Sequence, residues 1–163
     1  MALEIEGKWL VKSFEEEMAT SQTPIWQGYV AKDANATLLR VRKAGDVYYL
    51  TVKGKATMGS KVEIEREIDK EFFEELWQLT VGRRVQKVRY EVPLVGEAND
   101  LVAEVDVFEG ELAGLIMVEV EVSSAELLSK LRNDPPEWFG LDVTEDIRYS
   151  NSELASTGLP EVA

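Results

Sequence analysis

Charge of one sign recurs at every second position, strand after strand, along most of this chain. The opening LEIEGKWLV sets Leu3, Ile5, Trp9 and Val11 on one side and Glu4, Glu6 and Lys8 on the other. A period of two is the geometry of a β-strand. Further along, Arg40 and Arg42 oppose Leu39 and Val41, and Lys53 opposes Leu50 and Val52. Glu63 and Glu65 oppose Val62 and Ile64, while Lys87 and Arg89 oppose Val88 and Tyr90. Glu104 and Asp106 oppose Val105 and Val107, and Glu119 and Glu121 oppose Val118 and Val120. A solvated face does not sort charge in this way. Like charges on neighbouring positions repel, and ordinary surfaces intersperse signs. The pattern predicts a mainly β protein of the α+β class: an eight-stranded, closed antiparallel barrel with its charged faces turned inward. Eight strands enclose about enough space for one small ligand.

The strands are expected at 3–11, 25–32, 36–44, 47–55, 61–68, 85–92, 101–108 and 115–122. Gly45-Asp46, Gly59-Ser60 and the stretch from Gly96 to Asp100 are turn signals. Three helices should flank the barrel. One runs through DKEFFEELWQL with Asp69 as N-cap, one follows a Ser123–Glu126 capping box, and one follows Ser150–Glu153 and stops at Gly158. Residues 14–23 read as a polar loop or short helix, and Trp9, Trp77, Trp138 and Phe139 read as core anchors. Arg83-Arg84 reads as a solvated turn. With 163 residues and no composition shift, one domain over 1–163 is expected.

The chain has no cysteine and no histidine. Disulfides, thiolate metal sites and histidine-based triads are excluded together. Metal held by carboxylates alone would be a hard cation, Mg2+ or Mn2+. A net charge of −13 argues against nucleic acid as a partner. No apolar run reaches bilayer length and no signal peptide is recognisable, so no membrane partner and a cytoplasmic location are expected.

An interior this charged must balance. Lys8, Arg40, Arg42, Lys53, Lys87 and Arg89 face Glu4, Glu6, Glu63, Glu65, Glu104, Asp106, Glu119 and Glu121. The carboxylates exceed the cations by two. Two divalent ions would reverse that sign and leave a field suited to a polyanion. Carboxylates and guanidinium groups together suit a metal–phosphate complex.

Glu4-Ile5-Glu6-Gly7-Lys8 fits the ExExK signature of the CYTH superfamily, the triphosphate tunnel metalloenzymes. The charged pairs occur in that family's order, and QGYV (27–30), GRRVQKVRY (82–90), VEVEV (118–122) and WFGLDVTED (138–146) with the following RYSN resemble its short bacterial members. Gly7 departs from the long residue usual at that place, which bears on strand packing because the position faces outward. The resemblance implies an eight-stranded tunnel that hydrolyses a small triphosphate, inorganic tripolyphosphate above all, with a divalent metal. It implies phosphate binding by Lys8, Arg40, Arg42, Lys53, Lys87 and Arg89. It implies metal binding by Glu4, Glu6, Glu119 and Glu121, with Glu63, Glu65 and Asp106 as ligands or supporting groups. Thiamine triphosphate hydrolysis, ATP cyclisation and non-catalytic polyphosphate binding remain alternatives.

Without histidine, the base must be a carboxylate, a lysine depressed by basic neighbours, or metal-bound hydroxide. Glu4, Glu6, Lys8, Tyr29 and Lys87 are the candidates for direct action. Tyr29 shares a face with Gln27 and would orient phosphate or water, or else form part of the wall. Outward apolar faces not covered by short helices would be covered by a second copy, so a homodimer is also expected.

Overall fold

The computed structural model describes residues 5–33, 37–55, 61–95 and 100–161. Its strands are β1 (Ile5–Leu10), β2 (Ser21–Lys32), β3 (Leu38–Ala44), β4 (Val47–Lys55), β5 (Lys61–Ile68), β6 (Arg84–Pro93), β7 (Val102–Phe108) and β8 (Ile116–Val122). Its helices are α1 (Lys70–Trp77), α2 (Ala125–Asn133) and α3 (Asn151–Thr157). Glu4, the first candidate ligand, lies outside the described residues. No helix among those described is long and apolar enough to cross a membrane.

The strands form one antiparallel sheet in the order β1-β8-β7-β6-β2-β3-β4-β5. β2 is the hinge of this order, pairing β6 along its first half and β3 along its second. It begins at Ser21, so the polar loop or helix expected over 14–23 is partly strand, with a single 3-10 turn at Glu16–Met18. Pro24 does not end the strand. Its carbonyl faces Gly45 at the start of the β3 side, before that ladder begins at Ile25, so the missing N–H falls where no partner strand needs it.

The expected hydrogen-bonded closure between β1 and β5 is not formed among the described residues. The reason lies on the outer edge of β1. Leu10 N–H donates to the Leu141 carbonyl at 2.8 Å, and Gly140 N–H donates to the Leu10 carbonyl at 2.7 Å. Val143 N–H donates to the Lys8 carbonyl at 2.9 Å, and Lys8 N–H donates to Thr144 Oγ1 at 3.1 Å. The WFGLDVTED segment thus occupies backbone groups that β5 would need. This also protects an edge that would otherwise invite pairing with another chain. A Cβ at Gly140 would lie 2.6 Å from the Leu10 carbonyl oxygen, so only glycine permits the approach.

The outer faces of β1, β7 and β8 are apolar and covered, whereas Ile64 on β5 and Trp26 on β2 stay exposed. Ala103, Val105, Val118 and Val120 are fully buried beneath Leu131 of α2 and Phe139. Trp9 joins them, and its indole folds back over position 7. A Cβ there would lie 2.5 Å from Trp9 Cη2 and 2.9 Å from Leu128 Cδ1, which accounts for Gly7. On the other half, α1 lays Phe73 and Trp77 against the sheet beside Tyr48. Asp69 and Ser150 cap α1 and α3 as expected, accepting from Phe72 N–H and Glu153 N–H. The cap of α2 is Ser124 rather than Ser123. Its hydroxyl accepts from Leu127 N–H, three residues on, and Ser123 stays one place outside the turn. Arg83 is exposed in the bend before β6, as a solvated turn requires, while Arg84 already belongs to β6 and is half-buried. Arg83 donates to the carbonyls of Tyr29, Val30 and Leu79, and Arg84 lies on Trp77 while donating to its carbonyl.

Gly140→Ala forces a methyl into backbone and should lower unfolding stability by about 1–3 kcal/mol. A lower urea midpoint with an unchanged slope is expected. An unchanged midpoint would show that the segment along β1 yields without loss.

Candidate active site

The inward faces meet around a cavity of about 330 Å³. Every strand contributes to its wall. Lys8 and Glu6 come from β1, Tyr29 from β2, Arg40 and Arg42 from β3, and Lys53 from β4. Glu63 and Glu65 come from β5, Arg89 from β6, Glu104 from β7, and Glu119 and Glu121 from β8. Toward one end of β6, β7 and β8 the charged side chains give way to Val85, Phe108 and Met117, which pack with Tyr149 and Leu154. This apolar plug seats α3, whose Asn151 and Ser152 join the wall together with Ser150. Lys32 holds the same helix from β2, 2.9 Å from Glu153.

The wall is divided by sign. On the β1–β8–β7 side, register places Glu6 opposite Glu121 and Glu104 opposite Glu119. Carboxylates directly opposed across a ladder repel, so this side needs positive charge. Lys8 supplies some, 3.9 Å from Glu6 and 3.7 Å from Glu119. Burial raises the Glu104 pKa above its ordinary value despite Arg89. These oxygen donors suit a hard divalent ion, with Glu6, Glu119 and Glu121 as the available set. Among the described residues no three carboxylates are yet gathered closely enough to hold one.

The β3–β4 side is basic. Arg42 is tethered through its Nε to Gln27 Oε1 at 3.0 Å, and burial beside Arg40 and Arg89 lowers its pKa to about 10. Arg40 donates to Thr51 Oγ1 at 3.3 Å and reaches Glu65 at 4.0 Å. Its Nε is buried and has no hydrogen-bond partner among the described residues. A buried donor left unpaired costs about 1–3 kcal/mol, so Arg40 stands beside the cavity with hydrogen-bonding capacity still unused.

Two sequence candidates occupy a different place. Lys87 is 0% exposed and Asp106 2% exposed, and neither lines the cavity. Lys87 Nζ lies 2.8 Å from Asp106 and 3.0 Å from Asn151 Oδ1. Arg89 donates to both Asp106 oxygens at 2.8 and 2.9 Å. Both carboxylate oxygens are therefore engaged by cations, and of the two roles expected for Asp106, ligand or supporting group, this contact is of the supporting kind. Burial alone would raise the Asp106 pKa, but Lys87 and Arg89 outweigh it and bring it to about 2. Burial lowers Lys87 to about 8, with Asp106 opposing and Arg89 and Arg42 assisting.

Ser150, Asn151, Ser152 and Gln27 were not read as site residues from sequence. Ser150 was visible as a helix cap and, with Asn151, in the RYSN stretch, and nothing local says that the cap returns to the cavity. The alternation does place Gln27 on the face of Tyr29, which was the one available signal.

Asp106→Asn leaves the buried Lys87 without a counter-ion and should destabilise the fold at pH 7 by about 3–5 kcal/mol. Asp106 stabilises the fold above its ordinary pKa of 3.8 and stops doing so as pH falls to about 2. The gap between variant and parent should therefore narrow over that interval in chemical denaturation. A constant gap would place the effect elsewhere.

No family model matches the sequence. An inorganic triphosphatase from Nitrosomonas europaea is 41% identical over 152 residues, spanning 93% of this chain and 96% of its own. Another from Acetivibrio thermocellus is 35% identical over 158 residues, spanning 94% of each. The crystal structure of the inorganic triphosphatase NE1496 is 39% identical, covers 99% of both chains and superposes with a TM-score of 0.75. Likeness of that extent joins the charged, eight-stranded cavity and the ExExK strand in one assignment: the chain belongs to the inorganic triphosphatase family of the CYTH superfamily.

Proposed function

We propose that this chain hydrolyses inorganic tripolyphosphate to pyrophosphate and phosphate in the charged cavity, with Mg2+ or Mn2+. The observation that carries the reading is the basic wall of Arg40, Arg42 and Lys53, set with the carboxylates of Glu6, Glu119 and Glu121 around one cavity of about 330 Å³. Family membership gives the reaction class, and the cavity favours an inorganic chain over a nucleotide. Tyr29 is the one aromatic side chain on its wall among the described residues, which offers little surface on which a base could stack.

Phosphoryl transfer depends on positioning and on stabilising charge that moves toward the leaving group. Arg40 and Arg42 present planar donors to phosphate oxygens, and Lys53 and Arg89 add point and forked charge beside them. Water attacks the terminal phosphorus, the bridging P–O bond breaks, and pyrophosphate departs with the electron pair. Tyr29 stands among these groups to donate a hydrogen bond as that charge grows. Glu6, Glu119 and Glu121, together with Glu4 of the sequence motif, would hold the metal, which would neutralise phosphate charge and lower the pKa of bound water. Lys87 acts from behind the wall, fixing Asn151 and Asp106.

The closed tunnel belongs to the same reading. Lys8 on β1 and Lys53 on β4, next to edge strand β5, lie on one cavity, so a polyanion gripped by both would draw the two edges together.

Phosphate release from tripolyphosphate should exceed release from ATP and thiamine triphosphate, and a chelator should abolish it. Equal turnover of ATP would reassign the substrate, cyclic AMP as product would make the protein a cyclase, and activity in chelator would remove the metal. In separate titrations, Arg40→Lys should weaken tripolyphosphate binding because it keeps charge but loses the Nε–H. Glu6→Gln should weaken metal binding instead. Each should lower turnover by more than about tenfold, since one donor aimed at transition-state charge is commonly worth ~2.7–4 kcal/mol. Near-normal turnover in both would place the reaction outside this cavity.

A further inference from the structure

Gln27 is completely buried between two cavity groups, and its amide joins them. Its Oε1 accepts from Arg42 Nε at 3.0 Å, and its Nε2 donates to the Tyr29 hydroxyl at 3.2 Å. The strand ladder sets this arrangement, because Gln27 is the register partner of Arg42 and Tyr29 that of Arg40. The orientation of the amide follows from its partners. A guanidinium can only donate, so it must face the amide oxygen, and the amide nitrogen is left to face the tyrosine. That nitrogen in turn can only donate, so the tyrosine oxygen accepts from it. The Tyr29 O–H then has to point elsewhere, and it donates to no group among the described residues. The side chain is 4% exposed and lies on the cavity wall, so the cavity is where an acceptor can reach it.

We infer that Gln27 is a positioning residue that aims the Tyr29 proton into the cavity while it holds Arg42, so that one amide prepares two donors for the same phosphate chain. The inference rests on the tripolyphosphatase reading above. A tyrosine hydroxyl free to rotate would spend part of its time as an acceptor, which repels a phosphate oxygen. With its lone pair occupied by Gln27, it meets the substrate as a donor and pays no reorganisation when charge develops. Gln27 touches neither substrate nor reacting atoms and acts only through its two neighbours.

Gln27→Glu inverts the relay. A carboxylate accepts from Arg42 and from Tyr29 alike, which turns the tyrosine proton away from the cavity. The expected result is a fall in kcat for tripolyphosphate of more than about tenfold, near that of Tyr29→Phe. In the Tyr29→Phe background, Gln27→Glu should lower kcat little further, because no proton remains to be misdirected. Gln27→Met removes both bonds without adding charge and serves where the glutamate variant folds poorly. Its kcat effect should likewise vanish in the Tyr29→Phe background, while a raised KM from the untethered Arg42 persists. Effects on kcat that multiply in the double variants, or a Gln27→Glu protein with normal kcat, overturn the inference while the parent remains active. A parent chain that releases no phosphate overturns both the inference and the substrate reading beneath it.

Discussion

The Lys87–Asp106–Arg89 cluster is the interaction on which the inward charge depends. Putting a lysine at 0% exposure is costly unless a partner lies within direct reach. Asp106 accepts from Lys87 at 2.8 Å and from both ends of the Arg89 fork, so one carboxylate compensates two cations. Lys87 is thereby matched behind the wall, and Arg89 spans from Asp106 to Glu104 on the cavity face, 3.2 Å away. Glu6 stands opposite Glu121, and Arg40 keeps a buried N–H without an acceptor among the described residues. The cavity thus has opposed carboxylates on one side and, on the other, the guanidinium groups of Arg40 and Arg42, the first with its Nε unpartnered among the described residues. Each side lacks what a metal–phosphate complex would bring.

The same logic of occupied groups decides the shape of the sheet. The backbone of β1 at Lys8 and Leu10 is taken by residues 140–144, and Gly140 permits that contact. The two ends of the sheet share a cavity, and no ladder joins them among the described residues. The far end is filled by the apolar cluster under α3, with Leu154 as its anchor.

Most of this architecture was legible because alternation is a local signal. Strand limits come within a few residues wherever charged and apolar positions alternate, as in Val118 to Val122 and Arg40 to Arg42. Three features were not legible, each for a physical reason. The early start of β2 depends on pairing with β6, which overrides the polar composition of residues 21–24. Depth along the barrel axis is invisible to a period of two. Lys87 and Arg89 look equivalent in sequence, yet one lies behind the wall and the other on it. Asp106 and Glu104 differ in the same way. Finally, the return of Ser150–Ser152 to the cavity is a long-range contact fixed by Leu154, not by anything within the cap itself.

The central claim is that a polyphosphate completes the basic wall. A crystal structure of the chain with inorganic tripolyphosphate tests it most directly. The account predicts a phosphate oxygen within about 3.2 Å of Arg40 Nε, with other oxygens of the same chain on Arg42 and Lys53 and the anion inside the cavity. Tripolyphosphate bound on the outer surface, with Arg40 Nε still lacking an acceptor, would contradict it.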